Sequence, residues 1–191
     1  KSAVAQTGLG GGKSVIILDP KAKNKREVLL AFGEVINHLG GLYVCAEDMG
    51  CTMEDVAIIA EKTPYVTGLE HSKSSGNPSP FTAWGTFRGI QASLFHLYGS
   101  DSLEGKKVAV QGLGSVGMKL CEYLFWHGAE LIVSDINEEY LKQAKVLYGA
   151  TVVDPKKIYQ VECDIFAPCA MGGILNEMTI PSFHPSCKIV A

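Results

Sequence analysis

The chain has 191 residues, of which 47% are hydrophobic and 19% charged, and its formal net charge is −3. This composition predicts a packed core and argues against a general nucleic-acid partner, because no basic stripe is visible along the chain. No apolar run reaches the roughly 18 residues that a membrane-spanning helix needs, so we expect a cytoplasmic protein with no membrane partner.

The six cysteines form no Cys-x-x-Cys pair, and the five histidines show no metal-ligand spacing. We therefore expect reduced thiols and no metal site, in preference to a disulfide framework or a zinc site.

A glycine-rich segment near the start, TGLGGGKS at residues 7–14, resembles the phosphate-binding loop of nucleotide hydrolases. That loop requires a glycine where Thr7 stands, and a helix after the lysine, because the helix N-terminus holds the phosphate. Residues 14–18 (SVIIL) form a β-branched run that predicts a strand instead. The pattern therefore disfavours a phosphate loop and leaves Lys13 entering a strand.

The next stretch predicts two helices with a strand between them. Apolar residues recur with helical spacing over residues 25–39, and LYVCA at 42–46 predicts the strand. The run from Thr52 to Asp55 resembles a capping box, which would open a short helix that ends near Glu61.

A Ser-, Gly- and Pro-rich stretch at residues 63–80 predicts a long loop. We expect this loop to lie at the boundary between a first domain at 1–66 and a second domain at 67–191, and to act as a hinge there. The second domain begins with a helix that has Pro80 in its first turn and ends near Tyr98.

From residue 106 onward, strands and helices alternate. Strands are predicted at 107–111, 131–134, 151–153, 164–167 and 189–191, with helices at 115–126 and 137–148. This alternation predicts an α/β fold with a parallel, doubly wound sheet. Because the last strand has no polar tail after it, we expect a fragment of a longer protein whose second domain is incomplete.

The segment GLGSVG at residues 112–117 follows a predicted strand and opens a predicted helix, which is the context of a dinucleotide fingerprint. Gly112 would allow the tight turn, Gly114 the approach of a pyrophosphate, and Gly117 close packing of the helix. Asp135 ends the next strand, and its carboxylate would accept hydrogen bonds from ribose hydroxyls and repel a 2′-phosphate. The pattern favours NAD over NADP, and the alternative is that these residues only serve packing.

Six segments follow one another in a specific order: GGGK, AEDMGCTMEDV, YVTG, SGNPSPFTAWG, VAVQGLGSVG and CDIFAPCAMGG. Together they resemble the Glu/Leu/Phe/Val family of amino-acid dehydrogenases, over essentially the whole chain, and most of all the branch that acts on leucine. The resemblance implies a partial N-terminal α/β catalytic domain followed by a Rossmann-type doubly wound NAD-binding domain. It also implies a homo-oligomer.

The resemblance further implies a role for each matching position. Lys13 is the expected catalytic lysine and Asp48 the expected general acid/base. The expected substrate-binding residues are Lys1, Ala46 and Thr67. The expected cofactor-binding residues are Thr82, Gly112, Gly114, Gly117, Asp135, Cys169 and Ala170, of which Cys169 would be a wall of the cleft and not a nucleophile.

The implied reaction is the reversible oxidative deamination of a branched-chain L-amino acid to a 2-oxo acid, ammonia and NADH. Two lysines in one pocket would lower the pKa of one amine toward neutrality, so that it could deprotonate water. The alternatives are phenylalanine or another amino acid as substrate, a non-catalytic NAD-binding assembly module, and another two-domain NAD oxidoreductase such as a hydroxy-acid or shikimate-type enzyme.

Overall fold

A computed structural model of the chain describes residues 3–19, 21–69 and 76–191. Lys1, which is predicted to bind the substrate carboxylate, lies outside the described residues, as does part of the predicted hinge loop. The chain divides into two compact units, Lys1–Pro78 and Ser79–Ala191. The boundary between the units therefore falls inside the Ser-, Gly- and Pro-rich stretch at 63–80.

The first unit is built on two helices, α1 (Lys25–His38) and α2 (Met53–Ala60). They pack together at Gly33, where an added Cβ would stand only 2.8 Å from the carbonyl oxygen of Ile59. One buried hydrophobic cluster of this unit consists of Leu29, Ile36, Cys45 and Ile59. Close packing at a glycine thus sets how the two helices meet.

The predicted strand at residues 14–18 is wrong. This run has no regular structure, and the side chains of Val15 and Ile17 are 84% and 98% exposed. A strand needs a neighbouring backbone to bond to, and no described residue pairs with this run. The predicted strand at 42–46 shortens to a single parallel bridge between Cys45 and Val66.

Helix α2 begins with the predicted capping box, which is confirmed. The Thr52 hydroxyl accepts a hydrogen bond from the Asp55 N–H, and the Asp55 carboxylate accepts one from the Thr52 N–H. Lys25 Nζ donates to the same carboxylate at 2.6 Å. Burial opposes ionisation of Asp55 and is the largest single influence on its pKa. The hydrogen bonds from Lys25 and Thr52 together outweigh it and lower the pKa.

The second unit begins with α3 (Ser79–Tyr98) and continues as alternating strands and helices. These are β1 (Lys107–Gln111), α4 (Ser115–Trp126), β2 (Glu130–Ser134), α5 (Glu138–Tyr148), β3 (Thr151–Val152), β4 (Ile165–Pro168) and β5 (Ile189–Val190). Short 3₁₀ helices lie at Ile158–Gln160 and Ile180–Ser182. None of the helices formed by the described residues is long and apolar enough to cross a membrane.

The five strands form one parallel sheet in the order β3-β2-β1-β4-β5. Val108 and Val110 of β1 face the core shared with α3, α4 and α5, while Ala109 faces a second core. That second core contains Tyr159 and Phe166. The central strand is therefore buried on both faces, as parallel strands require, and the prediction of an α/β fold with a parallel sheet is confirmed.

Replacing Asp55 with Asn is expected to lower the free energy of unfolding of the first unit by about 1–3 kcal/mol, because Lys25 loses its partly buried charged partner. The lowered pKa of Asp55 means that its stabilisation is complete above the unfolded-state value of about 3.9. It is lost as the pH falls through the folded-state pKa. Urea unfolding at pH 7 and at pH 3 should therefore show a smaller difference between the two proteins at pH 3.

Glu61→Gln is the matched control, because Glu61 pairs with Arg26 and both side chains are about half exposed. Exposed ion pairs contribute about 0–1 kcal/mol. An equal loss of stability from both substitutions would contradict the claim that the buried carboxylate of Asp55 stabilises the unit more than the exposed carboxylate of Glu61 does.

Candidate functional site

The first unit holds an acid–base pair formed by Lys13 and Asp48. Lys13 Nζ forms an ion pair with Asp48 Oδ2, and the two side chains are 69% and 55% exposed. The other carboxylate oxygen of Asp48 accepts the Met49 N–H at 2.7 Å. The backbone of Asp48 bonds in both directions to that of Cys51, at 3.2 and 2.8 Å. The carboxylate is thus held at a tight turn while remaining open to solvent.

Tyr43 helps to position the glycine run that carries Lys13. A Cβ added at Gly12 would stand 3.1 Å from the Tyr43 ring, so the ring lies directly against the backbone there. The Tyr43 hydroxyl also hydrogen-bonds the Ser14 hydroxyl at 2.9 Å. The sequence analysis missed this residue, because an aromatic in a short strand-like run does not show what its ring faces.

Ala46 and Thr67 lie beside the bridge between Cys45 and Val66. The Cys45 N–H donates to the Tyr65 backbone carbonyl at 2.9 Å, and the Thr67 N–H donates to the Cys45 carbonyl at 2.8 Å. Ala46 and Thr67 are both exposed, and Ala46 stands two residues before Asp48. Burial raises the pKa of the Cys45 thiol, so this neighbour is a neutral packing group.

In the second unit, the fingerprint glycines meet the segment that follows β4. Gly112 has a φ of +95°, and an added Cβ there would stand 2.5 Å from the backbone nitrogen of Ala170. A Cβ at Gly117 would overlap the Gly112 carbonyl oxygen and lie 3.2 Å from Cys169 Cβ. Both glycines are therefore required by the close approach of backbone segments.

Gly114 is different, because nothing lies within 4 Å of the position its Cβ would take. It is the N-cap residue of α4, where no side chain caps the helix. A cavity of about 210 Å³ opens here, lined by Leu113, Gly114, Ser115, Met118, Tyr140 and Gln143. Open space above an uncapped helix N-terminus fits a bound phosphate group.

Asp135 reaches from the end of β2 back to the glycine loop. Its Oδ2 accepts the Leu113 N–H at 2.5 Å, and its Oδ1 accepts the Asn137 N–H at 2.7 Å. These bonds orient a half-buried carboxylate at the carboxyl edge of the sheet. Five of the predicted cofactor-binding residues lie along this edge: Gly112, Gly117, Asp135, Cys169 and Ala170.

The surroundings of Cys169 are those of a structural thiol. Its N–H donates to the Gln111 carbonyl at 2.8 Å, which continues the contact between β1 and β4. Burial raises the pKa of Cys169 to about 11, so the thiol is protonated at neutral pH and a poor nucleophile.

Thr82 lies in the first turn of α3, and its carbonyl accepts the Thr86 hydroxyl at 3.1 Å. The next residue, Ala83, is buried in the same core as Leu113 of the glycine loop. The predicted contact of Thr82 with a nicotinamide stays a prediction.

Comparison with known proteins decides the family. The family model described as Glu/Leu/Phe/Val dehydrogenase, dimerisation domain, matches residues 1–65. The leucine dehydrogenase of Geobacillus stearothermophilus is 52% identical over 192 residues, which cover 100% of this chain and 52% of that protein. The chain belongs to the Glu/Leu/Phe/Val dehydrogenase family.

Other similar proteins are named for different amino acids. The phenylalanine dehydrogenase of Lysinibacillus sphaericus is 43% identical over 187 residues, covering 95% of this chain and 49% of that protein. The crystal structure of L-tryptophan dehydrogenase from Nostoc punctiforme matches with a TM-score of 0.74 and 42% identity, over 100% of this chain and 53% of that one. The chain thus spans about half the length of the curated relatives it matches.

In this family member, Gly117→Ala is expected to lower the free energy of unfolding of the second unit by about 3 kcal/mol. This is the upper end of the usual cost of overpacking, because the blocking atom is a backbone oxygen. Gly114→Ala should cost less than about 1 kcal/mol, because a Cβ meets open space there. Guanidinium unfolding of both variants measures the difference, and equal losses would contradict the packing role of Gly117.

Proposed function

We propose that the protein containing this chain is an NAD-dependent amino-acid dehydrogenase acting on branched-chain aliphatic L-amino acids. The reaction converts the amino acid, NAD⁺ and water to the 2-oxo acid, ammonium, NADH and a proton. The observation that carries the proposal is the ion pair between Lys13 and Asp48, in a member of a family of amino-acid dehydrogenases.

The Lys13–Asp48 pair supports the acid–base steps. After the α-carbon has lost a hydride, the substrate is an iminium, and water must attack its carbon. Transfer of the Lys13 proton to Asp48 would leave an amine that can take a proton from that water, and Asp48 would then give a proton to the departing amine. Contact between the two groups lets a proton pass from one to the other, and each such step is typically worth about 10²–10⁴-fold in rate.

The carboxyl edge of the sheet in the second unit supports the cofactor assignment. The strand order β3-β2-β1-β4-β5 is that of a dinucleotide-binding sheet as far as its fifth strand. Gly114 and the start of α4 would hold the pyrophosphate, while the backbone of Cys169 and Ala170 would line the cleft. A nicotinamide held in this cleft would supply the hydride acceptor for the substrate α-carbon.

The orientation of Asp135 supports NAD over NADP. Two backbone N–H groups hold its carboxylate in place, and each oxygen keeps a lone pair for a ribose hydroxyl. A 2′-phosphate placed there would face this negative charge, and the following residues Ile136 and Asn137 supply no cation.

The choice of a branched aliphatic substrate rests on pocket chemistry and on similarity. Ala46 and Thr67 are small and uncharged, so they offer no partner to a side-chain carboxylate. Lys1 would pair with the α-carboxylate of the substrate. The leucine dehydrogenase relative is 52% identical, against 43% for the phenylalanine dehydrogenase. We also propose a homo-oligomer, in line with the dimerisation domain that matches residues 1–65.

The direct test measures NADH formation by the full-length protein with Leu, Val, Ile, Phe, Trp and Glu. The highest kcat/KM is expected with the branched aliphatic amino acids, and NADP should support a much lower rate than NAD. Absence of turnover with all six, in folded protein that still binds NAD, would favour a non-catalytic binding module and refute the proposal.

Asp48→Asn is expected to lower kcat by about 10²–10⁴-fold, because the amide cannot exchange protons with Lys13 or the substrate amine. The dissociation constant for NAD should stay unchanged, since Asp48 lies in the other unit from the glycine loop. Steady-state kinetics and calorimetric titration with NAD separate the two effects.

Glu47→Gln is the matched control for that variant, because it removes a neighbouring carboxylate for which no contact with Lys13 is seen. Its kcat should stay close to that of the wild type. An equal fall in both variants, or loss of NAD binding in Asp48→Asn, would mean that Asp48 is a structural residue.

A further inference from the structure

Two cysteines of the second unit lie side by side, away from the predicted site residues. Cys163 precedes β4 and is buried, and Cys187 precedes β5 and is partly exposed. Both pack in the core that contains Tyr159 and Phe166. All six cysteines of the chain are described, and all six are free thiols.

The two cysteines lie just before the paired starts of β4 and β5. Ile165 of β4 is paired with Ile189 of β5, and Cys163 and Cys187 each lie two residues before this pair. Neighbouring strands lie about 4.7–4.9 Å apart. A disulfide needs Cα atoms roughly 4.4–6.8 Å apart, a range that includes the usual spacing of paired strands such as those that follow the two cysteines.

The backbone around the pair is held in place by its own hydrogen bonds. The Ser186 hydroxyl donates to the Cys163 carbonyl at 2.8 Å and accepts the Cys163 N–H at 3.2 Å. The Lys188 N–H donates to the Asp164 carbonyl at 3.0 Å. The residues on both sides of the thiols are therefore anchored to each other before any bond forms between the sulfurs.

The two thiols differ in reactivity, in the way that a nucleophile and its resolving partner differ. A hydrogen bond between the thiols raises the pKa of Cys163 and lowers that of Cys187 to about 7. Cys187 is also the more exposed of the two. A large share of Cys187 is thus thiolate at neutral pH, and it can reach a reagent from solvent.

We propose that Cys163 and Cys187 form a redox-active dithiol, a modification site that hydrogen peroxide converts to an intramolecular disulfide. The Cys187 thiolate attacks one peroxide oxygen, the O–O bond breaks, and the sulfur is oxidised to a sulfenic acid as hydroxide leaves and is protonated. Once Cys187 is oxidised, its negative charge no longer disfavours the Cys163 thiolate, so Cys163 gives up its proton and its sulfur attacks the Cys187 sulfur, while the S–O bond breaks with loss of water. In sum, two thiols and one peroxide give one disulfide and two waters.

The cross-link would close the chain segment 164–186, which contains Cys169 and Ala170 of the predicted cofactor cleft. Tying β4 to β5 restricts the unfolded chain, so the oxidised protein should unfold at a higher temperature than the reduced one. The dithiol would thus couple the redox state to the stability of the carboxyl edge of the sheet.

The test treats the full-length protein with hydrogen peroxide, alkylates the remaining thiols and digests it with a glutamate-specific protease. Cleavage after Glu162 and Glu177 places Cys163 and Cys187 in separate peptides. We expect these peptides to be joined by a disulfide that dithiothreitol reverses. Cys163→Ser and Cys187→Ser should abolish the link, whereas Cys169→Ser should retain it and so exclude Cys169, which shares a peptide with Cys163.

A second measurement on the unmutated protein removes any dependence on the folding of the variants. Phenylarsine oxide, which binds two neighbouring thiols with loss of water, should protect Cys163 and Cys187 together from alkylation and block the peroxide-induced disulfide. Release by a dithiol but not by a monothiol would support the pair. Free alkylation of both residues in the presence of the arsenical, or a peroxide-induced link from Cys187 to Cys169, would overturn the proposal.

Discussion

The second unit depends on a close contact between backbone segments, with no side chain between them, at the carboxyl edge of its sheet. Gly112 turns with a positive φ directly against the backbone of Ala170, and Gly117 brings α4 down onto the carbonyl of Gly112. No side chain fits at either glycine. Because β1 and β4 are paired in the centre of the sheet, this contact sets where α4 begins and what surrounds its N-terminus.

The same edge collects the residues that are predicted to bind a dinucleotide, although they come from three parts of the chain. The glycine loop follows β1, Asp135 follows β2, and Cys169 follows β4. Parallel strands bring their carboxyl ends to one side, so residues far apart in sequence converge without any special contact between their side chains. In the first unit, by contrast, Lys13 and Asp48 are placed by irregular backbone that packs beside α1 and α2.

The helices and the central strands could be predicted because their patterns are local. Helix α4 has the predicted bounds, and the capping box at Thr52 forms as expected. The run at residues 14–18 does not form a strand. Its β-branched residues favour an extended backbone, but a strand also needs a neighbouring strand with which to exchange backbone hydrogen bonds. The contacts of Tyr43 and of the Leu113 N–H could not be predicted from the sequence for a related reason. Each contact is made with a segment more than twenty residues away.

The amino-acid sequence by itself determined which chemical groups the site can use. Its glycines allow backbone segments to approach closely, its lysine supplies an amine, and its aspartates supply carboxylates. Tertiary structure alone decided which of these groups touch. Lys13 meets Asp48 across 35 positions of chain, and Cys163 lies in the same core as Cys187 because the segments that lead into β4 and β5 come together. Register arises from the summed packing of whole strands against their cores, so no short segment contains the information that specifies it.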